Sequence, residues 1–74
     1  MNYHDNYKAL KISQENRILT ITLDRPEAKN AVNPAMHEEL SRIFSDIDRD
    51  PGTDVVILTG ANNAFCAGGD LEWL

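Results

Sequence analysis

Gly68 and Gly69 stand side by side ahead of a carboxylate, Asp70, in the stretch FCAGGD, Phe65 to Asp70. Glycine leaves the backbone N–H uncovered, because no side chain stands in the way of a ligand. A glycine pair just before a helix start would offer an amide to an anion, or to an oxygen that gains charge in a transition state. The same pair also suits a plain tight turn, and on residue types alone that reading stays open. Cys66 has the chemistry of a nucleophile, but no base lies near it in the sequence, so it is expected to be a small loop or core residue. Asp24, Glu27 and Asp70 are acid–base groups by type. Asp24 and Glu27 sit in a loop beside Arg25 and Lys29, however, and Asp70 is placed to cap a helix, so all three are expected to be structural. His4 and His37 read as surface residues and Trp73 as packing. Ser41 and Ser45 lie on a helix with no strained elbow around them, which argues against a hydrolase triad. The run TGANNAFCAG begins like a nucleotide-binding loop, but Ala64 and Cys66 stand where that pattern needs glycine, and no phosphate-loop lysine motif occurs.

These residues need elements to position them. YKALKIS alternates through Leu10 and Ile12 and reads as a short strand. Gln14 to Asn16 reads as a turn, and Arg17 to Leu23 (RILTITL) as a second strand with Leu19, Ile21 and Leu23 on one face. The pair predicts a β-hairpin. Asp24 to Asn33 has no period and reads as a loop. Asn33 can cap a helix that Pro34 opens, and Met36, Leu40, Ile43, Phe44 and Ile47 give that helix an apolar face. Glu38 and Glu39 fall in its early turns, where the helix dipole favours negative charge, and Glu38 with Arg42 forms an i,i+4 pair. Pro51 and Gly52 end it. Val55 to Thr59 (VVILT) is apolar up to its last residue, as in a strand buried on both faces of a parallel sheet. Strand, helix and strand then predict a right-handed crossover. Gly60 to Gly69 is the next loop, and DLEWL the first turn of a second helix, with Leu71, Trp73 and Leu74 apolar. Residues 1–7 are polar and expected to be loosely held.

The chain has 74 residues, so it is one small domain at most, and its single cysteine excludes an internal disulfide. Two histidines and that cysteine, far apart, do not make a zinc site. The net charge of -5 argues against general nucleic-acid or anionic-membrane binding. No apolar run approaches a membrane span, and the amino terminus lacks the pattern of a signal or transit peptide, so a reducing, cytoplasmic setting is expected. One full helix can cover one face of the sheet, and nothing in these residues covers the other. The expectation is an amino-terminal piece of a larger α/β protein, or a chain completed by another.

Two stretches together, LDRPEAKNAVN (Leu23 to Asn33) and AFCAGGDL (Ala64 to Leu71), resemble the paired signatures of the enoyl-CoA hydratase/isomerase, or crotonase, superfamily. The intervening helix and the strand DVVILTG follow the order of that family. The resemblance implies a crotonase-like α/β fold built on a β-β-α spiral unit. Residues 1–74 would be the amino-terminal part of one such domain: hairpin, helix, strand and the start of a second helix. It implies an acyl-CoA-binding enzyme whose backbone oxyanion hole stabilises a thioester enolate, with coenzyme A as part of the substrate and no separate cofactor or metal. By position, the first loop would cradle coenzyme A through Ala28, Lys29 and Ala31, with Arg25 and Lys29 meeting phosphates. Ala67, Gly68, Gly69 and Asp70 would line the thioester, and the Gly69 N–H would be one oxyanion donor. The second donor and the proton-moving groups would follow Leu74, so the piece by itself is expected to be inactive. Family members usually form trimers or pairs of trimers, which implies a homo-oligomeric parent. A non-catalytic module that keeps this first βα unit is the main alternative, and a nucleotide-dependent oxidoreductase a weaker one.

Overall fold

The computed structural model describes residues 3–62, 65, 66 and 68. The order of elements is α1 (Tyr3–Asn6), β1 (Leu10–Glu15), β2 (Ile18–Leu23), a short 3-10 turn at Pro26–Ala28, α2 (Pro34–Asp48) and β3 (Val55–Gly60). The three strands form one sheet in the order β1-β2-β3. β1 and β2 pair antiparallel with Leu10 opposite Leu23 and Glu15 opposite Ile18. β2 and β3 pair parallel, Leu19 opposite Val56 and Ile21 opposite Leu58, with α2 as the crossover between them.

The hairpin is the expected one, but its turn lies further along the chain. Gln14 and Glu15 belong to β1, and the turn residues are Asn16 and Arg17, with φ of 53° and 68°. Positive φ at both central residues matches the right-handed twist of the strands it joins. Asparagine tolerates that region well and arginine poorly. Arg17 is held there from outside the hairpin: its guanidinium donates to Asp54 Oδ2 and Oδ1 at 2.6 and 2.8 Å and to the Pro51 carbonyl at 2.7 Å. Its own carbonyl accepts the Asp54 and Val55 amides at 2.8 and 3.2 Å.

Asn33 caps α2 as expected, with Oδ1 accepting the Met36 N–H at 2.9 Å and Pro34 in the first turn. Glu38 and Arg42 form the expected pair at 2.6 Å. The inward stripe runs through Met36 and Ile43, both fully buried, with Leu40 and Ile47 packed beside them. Phe44 was expected in that stripe and is 50% exposed. On the helical wheel it lies along one border, while Glu39 lies along the opposite border and faces inward.

The inward turn of Glu39 reflects the second difference from expectation. Tyr3 and Tyr7 are part of the core, while His4, Asp5 and Asn6 between them are exposed. Tyr3 in α1 and Tyr7 just after it join the cluster of Leu10, Ile12, Leu19, Ile21, Leu23, Met36 and Ile43. Their hydroxyls are satisfied there: Tyr3 donates to Asp50 Oδ2 at 2.7 Å and Tyr7 to Asp46 Oδ2. The Arg42 guanidinium lies 4.3 Å over the Tyr7 ring and donates to the Asn6 carbonyl at 2.8 Å. A polar-looking segment is thus tied down by partners far along the chain.

β3 also departs from the expectation of burial on both faces. Cover from α1 and α2 fades across the sheet: Leu19 and Ile21 are fully buried, Val56 is half-buried, and Leu58 on the same face is 41% exposed. On the reverse face Val55 and Ile57 are about half exposed beside Ile18. The physical reason is position: β3 pairs with β2 on one side only, and among the described residues no layer lies on the reverse face. No helix of the described residues is long and apolar enough to cross a membrane.

Candidate functional site

The site candidates fall on two loops, residues 24–33 after β2 and residues 61–68 after β3. Both leave the same end of the sheet, because parallel strands β2 and β3 both run toward it. The first loop is closed on itself by backbone bonds. The Arg25 carbonyl accepts the Ala28 and Asn30 amides at 3.0 and 2.8 Å, and the Ala28 carbonyl accepts the Ala31 amide at 3.0 Å. Pro26 suits the first position of the 3-10 turn. Lys29 and Asn30 follow with φ of 50° and 60°, which reverses the chain toward α2.

Of the four residues expected in this loop, Ala28 is half-buried, Ala31 is buried, and Lys29 is exposed. Arg25 is turned inward: its side chain is 20% exposed and Nη1 donates to the Ala31 carbonyl at 2.6 Å. It also lies 3.6 Å from Glu27 Oε2. Lys29 is therefore the more available cation of the pair for an anionic group. Asp24 pairs with Lys11 at 3.0 Å and Glu27 lies 3.6 Å from Arg25.

The second loop meets the first through its backbone. The Gly68 carbonyl accepts the Val32 amide at 2.7 Å. Gly68 has φ of +98°, a conformation that favours glycine, and among the described residues no atom outside its chain neighbours lies within 4 Å of where a Cβ would stand. The glycine therefore answers to the backbone here. Its own N–H is directed at Cys66 Sγ at 3.3 Å. Cys66 is half-buried against the core, as its small size suggested. Ala67, Gly69 and Asp70, the other expected members, lie outside the described residues, as does the expected second helix. Among the described residues no group of acidic, histidine or cysteine side chains could hold a metal ion.

Two residues on these loops escaped the reading of the sequence. Val32 packs its side chain against the core but meets the second loop through its backbone, which no residue type announces. Asn30 is fully buried; its Oδ1 accepts the Arg25 amide at 2.8 Å and its Nδ2 donates to the Ala61 carbonyl at 2.9 Å. An asparagine following lysine in a turn gives a hint of positive φ, but none of burial.

Residues 13–74 match the family model described as enoyl-CoA hydratase/isomerase. A hydroxycinnamoyl-CoA hydratase-lyase from Pseudomonas fluorescens is 36% identical over 95% of this chain and 25% of its own length. A 1,2-epoxyphenylacetyl-CoA isomerase from Escherichia coli is 42% identical over 78% of this chain and 22% of its own. The crystal structure of an enoyl-CoA hydratase from Mycobacterium tuberculosis H37Rv superposes with a TM-score of 0.85 at 42% identity, covering 90% of this chain and 30% of that one. The chain belongs to the enoyl-CoA hydratase/isomerase family, and its fold is that of the family's amino-terminal region. It spans about a quarter of the length of the curated relatives it matches.

Proposed function

We propose that residues 1–74 form the amino-terminal part of a single crotonase-like domain, and that the whole protein is an acyl-CoA enzyme of the hydratase/isomerase type. One observation carries the reading. The Val32–Gly68 backbone bond sets the glycine segment against the loop of residues 24–31, at the end of the sheet to which β2 and β3 both run. That juxtaposition suits a ligand with an anionic end and a thioester end. Lys29 and the Ala28 and Ala31 backbone face the coenzyme A side, with Arg25 bracing their loop. Ala67, Gly68, Gly69 and Asp70 line the thioester, and the Gly69 N–H donates to its oxygen.

The chemistry follows from the thioester. Its carbonyl makes the α-carbon acidic or the β-carbon electrophilic, and either path puts negative charge on the carbonyl oxygen. An aligned amide lowers that barrier by about 3–4 kcal/mol, roughly a hundredfold to a thousandfold in rate. Coenzyme A enters as part of the substrate, with no separate cofactor. Residues 1–74 by themselves are inactive on this reading, and the whole protein is a cytoplasmic homo-oligomer, a trimer or a pair of trimers.

The test is acyl-CoA binding and turnover by the full-length protein with and without Gly69→Pro, which deletes the N–H. Retained binding with turnover reduced about a hundredfold or more supports the reading. Unchanged turnover removes Gly69 from the mechanism, and no binding by the unmodified protein removes the acyl-CoA assignment.

A further inference from the structure

An amide donor works only if the loop carrying it is held still. The loop that follows β3 is held at both ends by one strip of chain. At its root, Ala61 donates its N–H to the Leu23 carbonyl at 2.9 Å and accepts Asn30 Nδ2 at 2.9 Å. At its far end, the Gly68 carbonyl accepts the Val32 amide at 2.7 Å. Leu23, Asn30 and Val32 all lie between the end of β2 and the start of α2.

Asn30 is the only side chain in that set of bonds. A local asparagine turn uses the side-chain oxygen on its own loop and leaves the nitrogen to water. Here the nitrogen reaches a carbonyl 31 residues along the chain, and the residue is 0% exposed. Its φ of 60° lets it face the second loop without leaving the first.

We infer that Asn30 is a positioning residue for the acyl-CoA site: it pins the root of the 61–68 loop to the 24–31 loop, so that the Gly68 carbonyl lands on Val32. Fixing a carbonyl fixes the plane of its peptide unit. This rests on the function proposed above.

The test uses the full-length protein with an acyl-CoA substrate. It measures kcat, KM and the infrared carbonyl stretch of the bound thioester, whose shift reports polarisation by the oxyanion donors. Asn30→Gly keeps the positive φ and deletes the side-chain bonds to Arg25 and Ala61. Asn30→Asp keeps an acceptor for Arg25 and loses the donor to Ala61. Both are expected to lower kcat about tenfold to a hundredfold, as a displaced reacting geometry does. KM should change less than about threefold, the pattern of an interaction felt in the transition state. The carbonyl shift should shrink in both. Unaltered kcat and carbonyl stretch in Asn30→Asp overturn the inference. So does loss of folding in both variants by circular dichroism, since Asn30 is then a general stability residue. Failure of the unmodified protein to bind acyl-CoA or to shift its carbonyl overturns the functional reading itself, and the inference with it.

Discussion

The Glu39 carboxylate accepts the Leu10 backbone N–H at 3.1 Å from within the core, and its other oxygen accepts the Lys8 and Ala9 amides at 3.0 and 2.9 Å. Three successive amides at the entrance to β1 thus close on one side chain of α2. The carboxylate is 7% exposed, and charge-assisted bonds to backbone amides are what make such burial tolerable. Glu39→Gln turns a donor toward amides that are themselves donors. It should lower the unfolding free energy by about 1–3 kcal/mol, measured by urea denaturation at neutral pH. A change below about 0.5 kcal/mol, the range of ordinary surface substitutions, would show the contacts to be incidental.

Tyr3 and Tyr7 predict a loss of stability in alkali. Burial, then the bonds to Asp50 and Asp46, push both hydroxyls up from 10.0 to about 12. A group whose folded value is raised contributes stability that is fully present below its unfolded value and lost as pH rises through the folded one. The loss therefore falls between pH 10 and about 12. Thermal unfolding followed across that range should show a steep decline, and the Tyr3→Phe, Tyr7→Phe double variant a shallower one. Identical slopes would mean that neither hydroxyl is coupled to folding.

Asp50 predicts the converse in acid. The Tyr3 hydroxyl first, then the Gly52 amide and the Thr53 hydroxyl, hold its carboxyl far below the ordinary value of 3.8. A depressed folded value contributes stability above the unfolded value that is lost as pH falls toward the folded one, so the decline begins near pH 3.8. Asp50→Asn should flatten stability against pH in that region, and a profile identical to that of the unmodified protein would show this carboxyl to be uncoupled from folding.

Arg17→Gly tests which effect governs the hairpin turn. The substitution removes the paired bond to Asp54 and the bond to Pro51, but relieves a non-glycine residue at φ of 68°. Exposed ion pairs contribute about 0–1 kcal/mol, and a left-handed non-glycine residue costs about 1–2 kcal/mol. Stability should therefore stay level or rise by up to about 1 kcal/mol in chemical denaturation. A loss above about 1 kcal/mol would make the Arg17–Asp54 link the dominant element.

Local signals carried much of this architecture. The alternation of Leu19, Ile21 and Leu23, the Asn33–Pro34 helix start and the Glu38–Arg42 pair each depend on near neighbours, and each stands where the sequence placed it. What escaped depends on distance. Tyr3 and Tyr7 are core because Asp50 and Asp46, 47 and 39 residues away, accept their hydroxyls. Glu39 reads as a dipole-favoured surface acid until Lys8 to Leu10 are brought to it. Val55 to Leu58 has the composition of a doubly covered strand, but cover comes from other elements and not from the strand's own residues. At the candidate site the loops were legible from glycine, proline and asparagine. The inward turn of Arg25 and the burial of Asn30 were not, because both are set by carbonyls presented from elsewhere in the folded chain.

The anchoring of residues 3–10 bears on how the protein is handled. A clone trimmed to begin at Ala9 would discard two aromatic rings from the interior and strip Glu39 of an amide partner. Such shortening, customary for leading segments that look dispensable, should yield an aggregation-prone product in which an internal carboxylate has lost part of its compensation.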